Sequence, residues 1–243
     1  MSYPNFHFEQ SVWKEGYKFV AGVDEVGRGA LAGPVVAGCV VFERNFSKNK
    51  NSIFATQKLN GIKIDDSKKL SAKQREEASN WIKENALTWG IGEASAREID
   101  KLGIVKATNR AMRRAIGNAN QRLHDPIQFL LIDAFYLPYA KGIPRPVKRK
   151  RRHKVNEKWR SNLSSGLQKA IVKGDEKSYS IAAASIVAKV YRDDLMVKLG
   201  RKNKYRKYAW GKNVGYGTRS HRDAIKKLGI NVYHRRSFCK IIG

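Results

Sequence analysis

The stretch Val20-Ala21-Gly22-Val23-Asp24-Glu25-Val26-Gly27-Arg28-Gly29, closely followed by the apolar run Pro34 to Phe42, decides the fold class of this chain. Phe19 to Val23 and Pro34 to Phe42 are rich in Val and Gly, and a glycine-heavy turn joins them, which is the pattern of two strands. Further along, Ser71-x-x-Gln74 has capping-box spacing and opens a helix whose apolar face carries Ala78, Trp81 and Ile82. Leu87 to Ala94 reads as a strand and Ile104 to about Ala119 as a basic helix. Ile127 to Ile132 reads as a strand that runs straight into Asp133, and Leu167 to Val172 as another. Ser178 to Leu199 is the longest helix, with an Ala-rich first half suited to close packing, and Thr218 to Leu228 is a last helix stopped by Gly229. Strands alternating with helices imply an α/β domain.

The whole chain, 1–243, fits one such domain. Residues 43 to 63 are polar and read as an exposed loop. Residues 138 to 166 form an irregular basic insertion containing Lys148-Arg149-Lys150-Arg151-Arg152, which could wrap a duplex or simply be a solvated loop. There are 49 Lys and Arg against 21 Asp and Glu, a net charge of +28. So basic a chain repels itself, and a polyanionic partner is the usual reason to tolerate this; nucleic acid comes first and an anionic membrane surface second. No apolar run approaches the roughly 18 residues that would span a bilayer. The N-terminus lacks the layout of a secretory signal, which reads as a cytoplasmic chain with no membrane partner. Cys39 and Cys239 do not suggest a disulfide, and the five histidines are dispersed without zinc-ligand spacing.

In a chain so short of acids, Asp24, Glu25, Asp133 and Asp175 stand out because they sit where strands end or turns begin. An acid directly after Phe129-Leu130-Leu131-Ile132 is costly unless solvated or paired. Carboxylates converging from several strand ends repel one another, and a divalent cation relieves that repulsion; oxygen-only ligands suit Mg²⁺ or Mn²⁺. Neighbours on a regular strand face opposite ways, so Asp24 and Glu25 share a site only if the strand ends or bends there, which Gly27 and Gly29 would permit. Those glycines also let backbone amides approach a phosphate or sugar, with Arg28 as a positive fork. A basic surface holding the phosphate backbone beside a metal-holding carboxylate cluster suits metal-dependent phosphodiester hydrolysis, with two ions clamping an in-line displacement.

The Val20 to Gly29 stretch resembles the N-terminal signature of ribonuclease HII. Collinear matches follow at Asp66-Ser67-Lys68-Lys69-Leu70-Ser71, Leu131-Ile132-Asp133 and Lys173-Gly174-Asp175-Glu176-Lys177-Ser178. Ile181 to Lys189, Gly215-Tyr216-Gly217-Thr218 and His234-Arg235-Arg236-Ser237-Phe238 complete them. The resemblance implies a ribonuclease H-like fold, a mixed central sheet flanked by helices, with a core over about 19–199 and a helical C-terminal substrate-binding part over about 200–243. It implies that Asp24, Glu25, Asp133 and Asp175 bind the metals and carry catalysis. It also implies that the backbone of Gly27, Arg28 and Gly29 reads the ribose 2′-hydroxyl, the group that separates RNA from DNA. Tyr216 would help select the RNA-to-DNA junction, and Ser67 and Lys68 would touch phosphates. The implied substrates are RNA–DNA hybrids and duplex DNA holding a single ribonucleotide, cut to leave 3′-hydroxyl and 5′-phosphate ends, an early step of ribonucleotide removal in DNA repair.

A signature starting near residue 20, with Arg28 where the related ribonuclease HIII typically has lysine, favours the first family over the second. Two departures stand beside the long basic insertion. Asn213-Val214 occupies the place where many relatives have His-Lys, and Ala134 the place of a glycine that often follows the third acid. A monomer is expected, and docking to a sliding clamp is left open. The rival reading is a non-enzymatic basic RNA-binding module, which composition favours and the four acid positions oppose.

Overall fold

The computed structural model describes residues 3–47, 62–134, 137 and 167–240; the basic insertion lies outside them. Five strands form the sheet: β1 (Val20–Val26), β2 (Val35–Val41), β3 (Thr88–Ala94), β4 (Phe129–Asp133) and β5 (Gln168–Ile171), in the order β3-β2-β1-β4-β5. The first three pair antiparallel, whereas β1, β4 and β5 run parallel, so the sheet is mixed, as expected. The helices are α1 (His7–Lys14), α2 (Ala72–Asn85), α3 (Ala96–Leu102), α4 (Ile104–Asn120), α5 (Tyr179–Arg201), α6 (Trp210–Asn213), α7 (Arg219–Leu228) and α8 (Arg236–Cys239). Among the described residues no helix is long and apolar enough to cross a membrane.

Two helices cover opposite faces of the sheet, and glycines decide how near they come. A Cβ on Gly22 would lie 2.1 Å from the Ser180 carbonyl carbon, and one on Gly38 2.2 Å from the Ala184 oxygen, so α5 rests directly on β1 and β2. On the other face, Cβ atoms on Gly90 and Gly92 would each lie 2.2 Å from α4 carbonyls, those of Ala115 and Ala111. The run Ile181 to Ala188 is buried all round, which explains its lack of a polar face: it is the central helix between the sheet and α2.

The capping box read at Ser71 is present, with Gln74 N–H donating to Ser71 Oγ at 3.2 Å and Ser71 N–H to the Gln74 side chain at 2.9 Å. The same device at Ser95 and Glu98 starts α3, a helix the sequence reading passed over, which Gly103 ends with φ +77°. The C-terminal part is helical, and its own apolar cluster of Tyr205, Tyr208, Trp210 and Ile225 meets Ala32 and Met196. It therefore packs on the segment that follows the glycine turn.

Candidate active site

Asp24 and Glu25 stand inside β1, which continues to Val26 in register with Val36. The strand does not end at the pair, because its pairing with β2 runs on to Val26, and on a regular pleat the two side chains leave from opposite faces. Asp24 lies on the α5 side, where it is 5 % exposed. Glu25 lies on the other face, its Oε1 accepting from Arg28 Nη1 at 3.0 Å. The parallel pairing of β1 with β4 sets Val23 against Ile132, so the next step along both strands brings Asp24 toward Asp133. Asp133 is the last residue of β4, and its Oδ1 accepts from the Gly174 N–H at 2.7 Å. That bond ties it to the single helical turn Gly174–Glu176, which holds Asp175. Parallel pairing and one cap bond thus gather acids separated by up to 151 positions (175 − 24) in the chain.

The electrostatics show that the four acids share one field. Burial raises the Asp24 carboxyl well above the ordinary range, and the charges of Glu25, Asp133 and Asp175 raise it further, against a hydrogen bond with Ser185. Burial also raises Glu25, with Arg28 opposing and Asp133 adding to the shift. Asp175 is raised by burial, lowered by Lys68, and raised by Asp66 and Asp133. Partial burial pulls the Lys68 ammonium down, but Asp175, Asp66 and Asp24 outweigh it and hold its pKa above the usual value.

A hard divalent cation fits this donor set. Every donor is oxygen, the acids repel one another, and Glu25 Oε2 is buried with no hydrogen-bond partner among the described residues. Among those residues no group of three or more carboxylate, imidazole or thiol side chains is already arranged to hold a metal ion. A bound divalent cation would relieve the mutual repulsion of the acids.

The other expected site residues fall into two groups. Lys68 reaches the acids, with Nζ 3.4 Å from Asp175 Oδ2 and 3.8 Å from Asp66 Oδ1. Ser67, by contrast, is buried, its hydroxyl 3.0 Å from that of Ser185, and this places it behind Asp24. Gly27 takes φ +85°, and a Cβ there would lie 2.1 Å from Arg192 Nε, so this turn needs glycine on both counts. A Cβ on Gly29 would meet nothing within 4 Å, which leaves its backbone open to approach. Tyr216 is joined to this turn through its neighbour: the Leu31 and Ala32 N–H groups donate to the Gly215 carbonyl at 2.8 and 3.1 Å. Asn213 is buried, donating to the Tyr208 carbonyl and accepting from the Gly215 N–H, each at 2.8 Å. It braces the Tyr216 turn, whereas Lys212 is exposed.

Four residues of the neighbourhood carried no role in the sequence reading. His221 and His234, dispersed in sequence, meet at 3.2 Å through their Nε2 atoms. The Asn231 N–H donates to His234 Nδ1, and His221 Nδ1 faces the Tyr216 carbonyl at 2.9 Å. Trp210 Nε1–H donates to His221 Nε2 at 3.0 Å, which leaves the proton of His221 on Nδ1, where it is donated to the Tyr216 carbonyl. Burial lowers both rings, His234 to about 4, so the row is neutral near pH 7. Arg192 and Arg235 are wholly buried. Arg192 could have been found, since it shares the buried stripe of α5 with Ala188, Met196 and Leu199.

A family model described as Ribonuclease HII matches residues 21–241. A ribonuclease HII of Caldanaerobacter subterraneus subsp. tengcongensis is 40% identical over 235 residues, covering 97% of this chain and 80% of that protein. The crystal structure of the ribonuclease H2 from Pyrococcus horikoshii OT3 is similar with a TM-score of 0.63 at 25% identity, covering 92% of this chain and 96% of that one. The RNase HII of a PCNA:RNase HII complex from Archaeoglobus fulgidus gives a TM-score of 0.60 at 25% identity, covering 91% and 94%.

Proposed function

This chain belongs to the ribonuclease HII family, a family of nucleases, and from that premise we propose that it hydrolyses the RNA strand of RNA–DNA hybrids and nicks duplex DNA on the 5′ side of a single embedded ribonucleotide. Family membership sets aside the non-enzymatic RNA-binding alternative. The observation that carries the proposal is the shared field of Asp24, Glu25, Asp133 and Asp175 beside an open glycine turn.

Asp24, Glu25, Asp133 and Asp175 would hold the divalent ions, Mg²⁺ or Mn²⁺ and two of them during the reaction. Bound there, such ions supply Lewis acidity that activates water and stabilises the leaving oxygen. The chain does the rest. The Ser185 hydrogen bond, backed by Ser67, favours the charged form of Asp24 and offsets part of the cost of burial. Arg28 does the same for Glu25, and the Gly174 N–H aims Asp133. Lys68 balances the acid cluster and is the nearest cation to a phosphate entering it; its side chain is 77% exposed and free to swing toward one. Backbone amides of the Gly27-Arg28-Gly29 turn recognise the ribose 2′-hydroxyl, because without side chains in the way they can come within hydrogen-bond reach of the sugar. Tyr216 packs against the sugar at the junction. The products are a 3′-hydroxyl and a 5′-phosphate.

End analysis of a labelled duplex tests this. A DNA duplex with one ribonucleotide, incubated with the protein and Mn²⁺ or Mg²⁺, should be cut once, 5′ of the ribonucleotide. The all-DNA duplex should stay intact. Cutting of both duplexes, or ends of the opposite polarity, would overturn the assignment.

A further inference from the structure

Arg192 and Arg235 each spend a complete guanidinium on backbone carbonyls. Arg192 Nε donates to the Pro34 carbonyl at 3.0 Å, Nη1 to Val214 at 3.0 Å and Nη2 to Ala32 at 3.1 Å. Arg235 Nε donates to Gly33 at 3.0 Å, Nη1 to Arg28 at 2.7 Å and Nη2 to Gly27 at 2.7 Å. Both side chains are 0% exposed, and among the described residues neither forms an ion pair with a carboxylate. Two buried cations this close repel, and burial together with Arg192 lowers Arg235 to about 9. A core built for stability alone has cheaper fillers than an unpaired guanidinium. The arrangement needs another reason.

That reason lies in what the carbonyls belong to. They come from three segments: the glycine turn, the link Ala32-Gly33-Pro34 that follows it, and Val214 just before Gly215-Tyr216. The peptide unit is planar and trans, so its C=O and N–H point opposite ways. With the Gly27 and Arg28 carbonyls drawn inward to Arg235, the N–H groups of Arg28 and Gly29 are turned outward. The Gly29 N–H has no acceptor among the described residues. On the other side, the Arg192 guanidinium lies 5.3 Å from the Tyr216 ring centroid. Val214, a β-branched residue, is held at φ +41°, a strained conformation that persists only where the surroundings impose it. Its carbonyl is the one that Arg192 grips.

We propose that Arg192 and Arg235 are positioning residues for sugar recognition, a buried strut that locks the Gly27-Arg28-Gly29 amides and the Tyr216 turn into one rigid reader of the 2′-hydroxyl. The inference rests on the reader role given to that turn above. A guanidinium suits the task because its planar fork fixes several acceptors at set angles, which an ammonium on a flexible stem cannot do.

Binding measured by fluorescence anisotropy in Ca²⁺, to suppress cutting, tests the strut. The probes are a duplex with one ribonucleotide and the matched all-DNA duplex. Wild type should prefer the first, and Arg235→Lys should lose about tenfold or more of that preference while its affinity for all-DNA duplex changes less than about twofold. Arg192→Lys should behave alike and serves as the second variant should Arg235→Lys fail to fold, as judged by circular dichroism. A retained preference in a folded variant overturns the proposal, and so does a parallel loss of both affinities, which is what a merely structural role gives. A wild-type chain without any ribose preference would sink the reader itself and the strut with it.

Discussion

Asp24 is held by the fold in a state that costs stability when its carboxyl is charged. Burial and three neighbouring carboxylates raise its pKa, so the folded chain holds this proton more tightly than the unfolded chain does. In chelator the contribution of Asp24 therefore declines as pH rises from the ordinary carboxylate value through the raised one, and the full penalty is present above both. Asp24→Asn removes the charge with little change of shape. It should raise the melting temperature of the metal-free protein at pH 7–8, by about 2–4 °C for each kcal/mol relieved in a chain of this size. Added Mn²⁺ should stabilise wild type and do much less for Asp24→Asn. A lower melting temperature for the variant in chelator would contradict the shared-field account. Tyr216→Ala belongs to the same scale. Loss of an aromatic contact to the sugar region is expected to cost about 1–3 kcal/mol, or roughly 5- to 150-fold, in junction cleavage. Duplex affinity should move less than about threefold, and an equal loss in both assays would remove the reading role.

The central contact between elements is that of α5 with β1, and Gly22 sets it. Gly22→Ala drives a methyl into the Ser180 and Ile181 backbone, which cannot swing aside as a side chain can. Destabilisation at or above the upper end of about 1–3 kcal/mol is expected, measured by denaturant unfolding, with activity falling because Asp24 is two positions away. Gly117→Ala, on α4 where a Cβ meets nothing within 4 Å, should instead stabilise by about 0.5–1 kcal/mol. Equal effects of the two would mean that glycine does not set the helix-to-sheet distance. At this scale much was legible from the chain: alternating apolar runs gave the strands, Ser71 with Gln74 gave the start of α2, and Gly229 gave the end of α7. The Ser95–Glu98 box carried the same signal, but the seven residues of α3 were passed over. Gly27 suggests an earlier end to β1, but pairing with β2 carries the strand on to Val26. The four acids stand out in the chain because they sit where strands end or turns begin, and the fold brings Asp24, Asp133 and Asp175 within each other's electrostatic reach. What could not be read was the work of Arg192, Arg235, His221 and His234, since each acts on carbonyls or rings that only the tertiary fold brings near.

Over the whole molecule, a net charge of +28 stands beside a small set of mutually repelling acids. The cations draw in the phosphate backbone, and the acids would push it away unless divalent ions stand between them. Affinity for duplex should thus be strongly salt-dependent. With about six phosphates contacted, raising salt from 50 to 200 mM should weaken binding by roughly 10³-fold. A change below tenfold would mean that the charge serves another end. The account's central claim, that the Asp24-centred acids cut and the glycine turn finds the ribose, is tested most directly by one nicking assay. Wild type and Asp24→Asn are compared in Mn²⁺ on a duplex containing a single ribonucleotide, with the all-DNA duplex alongside. Wild type should nick only the ribonucleotide-bearing strand, and Asp24→Asn should be slower by more than about 100-fold, beyond the loss typical of a group that only supports a metal ligand. Undiminished nicking by Asp24→Asn would contradict the account.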